Sequence, residues 1–146
     1  MNGMTDTVFG PETPLSRAML ITMLYRFAGS PKVETTEIEW YSAARVWAIN
    51  NGISDGTNMD DAITREQVAA MLCRYAAKQG KDTGISADLT VFTDAESISE
   101  WAYESVSWAV RSGLINGMGN GTLAPGKGAT RAEIAAIMQR FIASNK

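Results

Sequence analysis

Apolar residues recur three times along the chain at the spacing of one helix face. Each set holds four apolar side chains at intervals of three, one and three, which places them on a single stripe of an α-helix. The sets are Leu20, Met23, Leu24 and Phe27; Val68, Met71, Leu72 and Tyr75; and Ile134, Ile137, Met138 and Phe141. One helix cannot bury such a stripe alone, so we expect the three helices to pack against one another.

A second type of helix is predicted before two of these three, near residues 39–51 and 99–112. Its stripes are Trp40, Ala44, Trp47 and Ala48, and then Trp101, Ser105, Trp108 and Ala109. Gly52 and Gly113 follow as the left-handed residues that commonly end a helix. We expect Trp47 and Trp108 in the core. For Trp40 and Trp101, burial and an exposed ring face at a groove edge are equally open.

The two helix types belong to one repeated unit. Trp101, Trp108, Gly113, Gly117 and Arg131 have the same intervals as Trp40, Trp47, Gly52, Gly56 and Arg65, except that the last interval is fourteen residues in one copy and nine in the other. Asn2-Gly3 and Pro11 match Asn116-Gly117 and Pro125, which indicates a further copy without its first helix. We predict an all-α bundle with rough threefold pseudosymmetry, one domain made of helix-loop-helix copies at residues 1–30, 31–80 and 81–146.

Each second helix begins with a hydroxyl residue followed by an arginine: Ser16-Arg17, Thr64-Arg65 and Thr130-Arg131. Thr64 with Gln67, and Thr130 with Glu133, are predicted capping boxes. An arginine at this position faces the positive end of the helix dipole, which costs about 0.3–1 kcal/mol. It either forms an anion site with free N–H groups of the first turn, or bonds an acidic side chain or carbonyl of a neighbouring copy. Arg26, Arg74 and Arg140 also recur, late in the helix, where compensation of the dipole explains them.

Composition removes several classes of function. The chain of 146 residues has a net charge of -3 and no cluster of Lys and Arg, which argues against a nucleic-acid partner. It holds no histidine, so any catalysis would depend on carboxylates, and these are scattered. Asp55, Asp60 and Asp61 do not have the spacing of a calcium loop. We expect no catalytic residue, metal or cofactor, and no apolar run approaches the roughly 20 residues that span a membrane.

The third copy carries a family resemblance. Phe92-Thr-Asp94, Trp101, Trp108-Ala, Gly113-Leu-Ile-Asn-Gly117, Gly119-Asn-Gly-Thr-Leu, Pro125 and Ala129-Thr-Arg-Ala-Glu133 together resemble the S-layer homology motif. The resemblance covers almost the whole chain. It implies a pseudo-threefold helical bundle that holds bacterial surface proteins non-covalently to a secondary cell-wall polysaccharide linked to peptidoglycan.

In that family the grooves between repeats bind the glycan, often through a pyruvylated sugar, by the arginine of the Thr-Arg-Ala-Glu motif. Carried over by position, the implied ligands are Arg131, then Arg65 and Arg17. Asp94, Trp101 and Trp40 are the implied groove residues. The second copy departs from the pattern, with Lys32-Val-Glu-Thr-Thr in place of Phe-x-Asp and a short loop, which predicts a degenerate groove. The first copy lacks its first helix, so another groove is open or filled by a second chain.

The resemblance implies a location outside the cell. Residues 1–10 have neither a basic start nor an apolar stretch, so we expect the chain to be a fragment of a longer secreted protein at the cell surface or in the S-layer. Two alternatives stay open. One is a structural module that self-associates without binding glycan, and the other is a part of a cell-wall hydrolase.

Overall fold

The computed structural model describes residues 15–84, 87–118 and 120–144, and this part of the chain is helical without a β-strand. Five α-helices are present there: α1 (Arg17–Phe27), α2 (Ser42–Asn50), α3 (Arg65–Lys78), α4 (Tyr103–Arg111) and α5 (Arg131–Ser144). Three 3₁₀ turns, Leu89–Val91, Ala95–Ser97 and Glu100–Ala102, lie between α3 and α4. The all-α class is confirmed. The match of Asn2-Gly3 and Pro11 to the third copy lies outside the described residues.

Helices α1, α3 and α5 begin with the predicted caps. The Ser16 hydroxyl accepts the Met19 N–H at 3.2 Å. Thr64 and Gln67 form a complete capping box. In the third copy the Thr130 N–H donates to Glu133 Oε1 at 2.8 Å, and the Glu133 N–H donates to Thr130 Oγ1 at 3.2 Å. Both capping boxes are therefore confirmed, and each satisfies backbone N–H groups that a helix start leaves unpaired.

The residues just before these caps form a closed ring of backbone hydrogen bonds. The Leu15 N–H donates to the Ala129 carbonyl at 3.0 Å, and the Ala129 N–H donates to the Ile63 carbonyl at 2.8 Å. The Ile63 N–H donates to the Leu15 carbonyl at 2.8 Å, which closes the ring. Equivalent residues of the three copies thus meet at one point, and the three second helices start from it.

An aromatic triangle lies at the other end of the same helices. The ring centroids of Phe27, Tyr75 and Phe141 are 5.8 to 6.1 Å apart, which is the range of tilted and edge-to-face pairs. Each of these residues stands twelve positions after its counterpart in the hydrogen-bonded ring. The two triangles are the contacts that threefold pseudosymmetry requires. They support the predicted bundle, and the symmetry of the chain as a whole stays a prediction.

Between the triangles the predicted stripes form one hydrophobic core. The stripe residues of α3 and α5 are buried, whereas Met23 and Phe27 at the end of α1 keep part of their surface exposed. Helix α2 packs against α1, and α4 packs against α3. Trp47 and Trp108 are buried as predicted.

The helix predicted near residues 39–51 begins later than expected, since α2 starts at Ser42 and Trp40 precedes it. The helix predicted near residues 99–112 is present, but Trp101 lies in the 3₁₀ turn Glu100–Ala102, which leads directly into α4 at Tyr103. The equivalent residues Tyr41 and Ala102 both have φ of -101°, which bends the backbone and breaks the helical phase. Trp40 and Trp101 therefore do not continue the buried stripe, and both rings are exposed. The helix ends follow expectation, because Gly52 and Gly113 adopt φ of +70° and +77°.

Because Trp108 is buried and Trp101 is exposed, replacing each by alanine should lower the stability of the fold by different amounts. Trp108→Ala should lower the free energy of unfolding by about 3–5 kcal/mol, because it leaves a cavity in the core. Trp101→Ala should change it by no more than about 0.5 kcal/mol, because the ring is exposed. Urea denaturation followed by circular dichroism measures both values. Equal losses would show that Trp101 packs in the core.

Candidate functional site: grooves between the copies

Two grooves of similar construction lie between neighbouring copies. The copy-2 groove has a volume of about 540 Å³, and its lining includes Arg17, Asp55, Gln67, Met71, Arg74 and Trp101. The copy-3 groove has a volume of about 360 Å³, and its lining includes Arg65, Asn116, Met118, Glu133, Ile137 and Arg140. In each groove the arginine that starts one second helix meets the loop and the second helix of the next copy.

In the copy-3 groove, Arg65 is bonded within the protein. Its Nε donates to the Leu123 carbonyl at 2.9 Å and its Nη2 to the Asn116 carbonyl at 2.6 Å. Its Nη1 donates to Glu133 Oε2 at 2.7 Å. Arg65 is only 5% exposed. All three nitrogens therefore have acceptors from the neighbouring copy, which is the second of the two roles considered for this arginine.

In the copy-2 groove, the equivalent Arg17 lacks these acceptors. Its nearest ion-pair contact runs from Nη2 to Asp55 Oδ1 at 3.5 Å, and the Asp55 side chain is 69% exposed. Its Nε is buried and finds no hydrogen-bond acceptor among the residues that the structure describes. A buried N–H without an acceptor costs about 1–3 kcal/mol. The Arg17 side chain as a whole is 15% exposed and lines the groove.

Two sequence differences explain this contrast. The loop of copy 2 is five residues shorter than that of copy 3, whose Leu123 carbonyl accepts from Arg65. In addition, the neutral Gln67 occupies the position of Glu133. Arg17 has thus lost both a carbonyl acceptor and a counter-ion.

Of the two alternatives for these arginines, the one that uses free N–H groups of the first turn does not hold for α1 and α3. The first two N–H groups of each helix donate to carbonyl groups in the loop of the next copy. These bonds are Arg17 to Asp61 at 3.0 Å, Ala18 to Met59 at 2.9 Å, Arg65 to Lys127 at 2.9 Å, and Glu66 to Pro125 at 3.0 Å. Any anion in either groove would therefore be held by side chains and not by a helix start.

Each groove also has a second guanidinium group. Arg74 Nη1 donates to the Ile53 carbonyl at 3.1 Å, and Arg140 Nη1 donates to the Leu114 carbonyl at 3.2 Å. Compensation of the helix dipole does not explain these residues, because neither lies in the last turn of its helix. They bind the turn after the first helix and line the groove. The signal was present in the sequence, since an arginine follows the Thr-Arg or Ser-Arg arginine by nine residues in every copy.

Asp94 closes the loop of copy 3. Its two carboxylate oxygens accept the N–H groups of Leu123 and Ala124, each at 2.8 Å. The bond from Leu123 is the main cause that holds the pKa of Asp94 below its ordinary value. Asp94 thereby shapes the loop whose Leu123 carbonyl binds Arg65. Its predicted contact with a glycan stays a prediction.

The two exposed tryptophans are placed differently. Trp101 comes from copy 3 but lines the groove of copy 2, beside Arg17 and Arg74, and is 57% exposed. Trp40 lies edge-on to Tyr41 with 5.2 Å between ring centroids, and neither groove has it among its lining residues. Arg131 is exposed at the first position of α5. The loop of copy 1 that Arg131 would meet, at Asn2-Gly3, lies outside the described residues.

Asp55, an acid in the lining of the copy-2 groove, is held by local hydrogen bonds. Asp55 Oδ1 accepts the Thr57 N–H at 3.0 Å and the Thr57 hydroxyl at 2.7 Å, and these bonds hold the pKa of Asp55 below its ordinary value. The charge of Arg17 contributes less.

Over the described ranges there is no group of three or more Cys, Asp or Glu side chains placed to hold a metal ion. In the same ranges no helix is long and apolar enough to cross a membrane.

The stretch that contains Asp94, Trp101 and the Thr130 capping box matches a known family. Residues 91–135 match the family model of the S-layer homology domain. The chain belongs to the S-layer homology family. The match includes the loop and most of the groove wall of copy 3, whereas Arg65 and Arg140 lie outside it.

Relatives match this S-layer homology chain over almost its full length. It is 38% identical to an amylopullulanase of Thermoanaerobacterium thermosulfurigenes over 94% of the chain, and 35% identical to the exoglucanase XynX of Acetivibrio thermocellus over 94%. It is 29% identical to a surface-layer 125 kDa protein of Lysinibacillus sphaericus over 92%. The chain spans 8%, 14% and 12% of these three proteins.

The Arg65–Glu133 pair of the S-layer homology chain predicts a pH-dependent stability. Burial of Glu133 raises its pKa, but the bond from the Thr130 N–H and the charge of Arg65 outweigh this, and the pKa ends below its ordinary value. A lowered pKa means that the ionised form stabilises the fold at neutral pH, and that this contribution is lost in acid.

We expect Glu133→Gln to lower the free energy of unfolding by about 1–3 kcal/mol at pH 7. The difference from the unaltered chain should shrink as the pH falls below about 4.3, the ordinary value for Glu. Urea titrations between pH 7 and pH 3 measure this, with the exposed Glu104→Gln as the control. A difference that is constant with pH would contradict the assignment.

Proposed function

We propose that this chain anchors a bacterial surface protein to the cell wall by binding an anionic secondary cell-wall polysaccharide, non-covalently, in the copy-2 groove. The S-layer homology family and the surface-layer relative support the anchoring role. The observation that carries the choice of groove is that Arg17 lines it with a weakly neutralised guanidinium, which has one ion-pair contact of 3.5 Å to an exposed aspartate and no acceptor for its Nε among the described residues.

The chemistry of the groove suits an acidic sugar. Arg17 and Arg74 supply two guanidinium groups, and a planar fork of N–H donors matches the two oxygens of a carboxylate. Trp101 adds an exposed ring face on which a sugar ring can stack. A carboxylate such as that of a pyruvylated sugar would bond Arg17 and displace its long contact with Asp55.

This proposal changes the order of the ligand candidates. Correspondence to the motif alone favours Arg131 and then Arg65. However, the N–H donors of Arg65 are already bonded to Leu123, Glu133 and Asn116. A ligand would have to displace them to use that side chain. We therefore propose Arg17 as the principal ligand and Arg65 as a residue that holds copy 3 in place. Arg131 stays a candidate for a groove that involves copy 1.

We further propose that the chain works outside the cell, as the anchoring part of a longer secreted protein. The relatives named amylopullulanase and exoglucanase are far longer than the matched segment, which fits an anchor joined to other domains. On this proposal catalysis belongs to the other domains of such proteins, and self-association without glycan is the competing function.

Arg17→Gln provides the direct test. We expect at least tenfold weaker co-sedimentation with Gram-positive cell-wall sacculi, because a charge-assisted hydrogen bond is worth about 1.5–3 kcal/mol. Thermal stability should change little, because the substitution also removes a buried N–H without an acceptor. Arg111→Gln, at an exposed position on α4, is the control for the loss of one positive charge.

Arg65→Gln should behave in the opposite way. It breaks a buried ion pair, so we expect a loss of about 3 kcal/mol in the free energy of unfolding, with a smaller direct effect on binding by the folded fraction. Sacculi from which acid has extracted the secondary polymer should bind none of the variants. Undiminished binding to extracted sacculi, or by Arg17→Gln, would refute glycan anchoring in this groove. Association that depends on protein concentration and ignores wall polymer would favour the structural module.

A further inference from the structure

Glu66 is a buried acid that lines neither of the two grooves. It is the second residue of α3 and is 8% exposed. Its Oε1 accepts the Ser99 N–H at 2.9 Å, and its Oε2 accepts the Ser99 hydroxyl at 2.6 Å. Both oxygens therefore bind one residue of the next copy. Burial of a carboxylate is costly unless such bonds compensate for it.

Ser99 begins the segment that carries Trp101. It is the residue before the 3₁₀ turn Glu100–Ala102, and its carbonyl accepts the Ala102 N–H at 3.0 Å. Its hydroxyl makes no capping bond to that turn, because it is directed to Glu66. Trp101 lies two residues further on, in the wall of the copy-2 groove. The Glu66 carboxylate thus fixes the backbone from which this ring projects.

The other copies show that the fold does not require this contact. Ala18 and Ala132 occupy the position of Glu66 in α1 and α5. The position of Ser99 is occupied in copy 2 by Ile38, which is 95% exposed. The groove that would correspond to Trp40 involves the loop of copy 1, which lies outside the described residues. Among the described residues, the bond from a buried carboxylate to the start of such a segment therefore occurs only before Trp101.

We infer that Glu66 is a positioning residue that holds Trp101 in the wall of the copy-2 groove. The effect on glycan affinity rests on the proposed function, whereas the effect on Trp101 does not. A ring that is ordered before the ligand arrives avoids the cost of immobilising a side chain on binding. This role differs from that of a helix cap, because a cap stabilises its own helix, whereas Glu66 of α3 positions Trp101 in the turn Glu100–Ala102.

The test that needs no ligand is fluorescence quenching by acrylamide. In a Trp40→Phe background Trp101 is the exposed tryptophan, since Trp47 and Trp108 are buried. Glu66→Ala should increase the quenching of Trp101 and lower the anisotropy of its emission. Ala is the residue of the other two copies, so folding should be preserved, and Glu66→Gln, which keeps one acceptor oxygen, should give an intermediate result. Glu104→Ala, an exposed acid of α4, should leave Trp101 unchanged.

The second test measures binding to sacculi. We expect Glu66→Ala to weaken binding about two- to tenfold, which is the cost of ordering one side chain at an interface. In a Trp101→Ala background the same substitution should have no further effect on binding, although any effect on thermal stability should persist.

The outcomes separate this inference from the proposed function. If the unaltered chain ignores sacculi but Glu66→Ala still loosens Trp101, the glycan proposal fails and the positioning role stands. If Glu66→Ala lowers thermal stability and leaves the quenching of Trp101 unchanged, Glu66 is a structural contact and the inference is overturned. It is also overturned if the loss of binding persists in the Trp101→Ala background.

Discussion

The ring of backbone hydrogen bonds between Leu15, Ile63 and Ala129 is the constraint on which the rest of the structure depends. Because each residue both donates and accepts, the starts of the three second helices are held at one point. In α1 and α3 the first two N–H groups of the helix then donate to loop carbonyls of the neighbouring copy, and in α3 the Arg65 side chain binds the same loop. A groove between copies is thus a direct consequence of how the helices are joined at their starts, and the core stripes keep the helices together beyond that point.

Within this common frame the two grooves differ in how completely their arginine is neutralised. Arg65 meets two carbonyl groups and a carboxylate, so its charge is used to join copies 2 and 3. Arg17 faces a loop that is five residues shorter and a glutamine in place of the glutamate, so its charge is only partly balanced by an exposed aspartate. The same residue type at the same position is therefore fully bonded between copies 2 and 3 and only partly neutralised between copies 1 and 2. The short loop and the glutamine of copy 2 are the departures from the repeat pattern that leave Arg17 with one long ion-pair contact, and the degenerate groove predicted there stays a prediction.

Much of the local structure could be predicted from residue spacing. The three stripes, the caps at Ser16, Thr64 and Thr130, and the left-handed glycines at positions 52 and 113 all depend on neighbours within one turn or loop, and the structure has them as predicted. Spacing could not show the bend at Tyr41 and Ala102, which leaves Trp40 before α2 and Trp101 in the 3₁₀ turn before α4, so neither ring continues the buried stripe. The role of Arg74 was missed for a similar reason, since its acceptor, the Ile53 carbonyl, lies 21 residues away.

The sequence by itself determined the helical class, the recurring spacing of Trp, Gly and Arg, the residues that cap each second helix and the family to which the chain belongs, because these depend on the identity and order of neighbouring residues. Only the tertiary structure decided which acceptors each arginine meets, that Trp101 lines the groove of a different copy, and that Glu66 reaches Ser99. Those contacts join residues of different copies. Whether a hydrogen bond forms depends on differences of a few tenths of an ångström in the donor–acceptor distance, and residue spacing does not specify these. The charge available in each groove consequently depends on how the copies pack as well as on the residues of the motif.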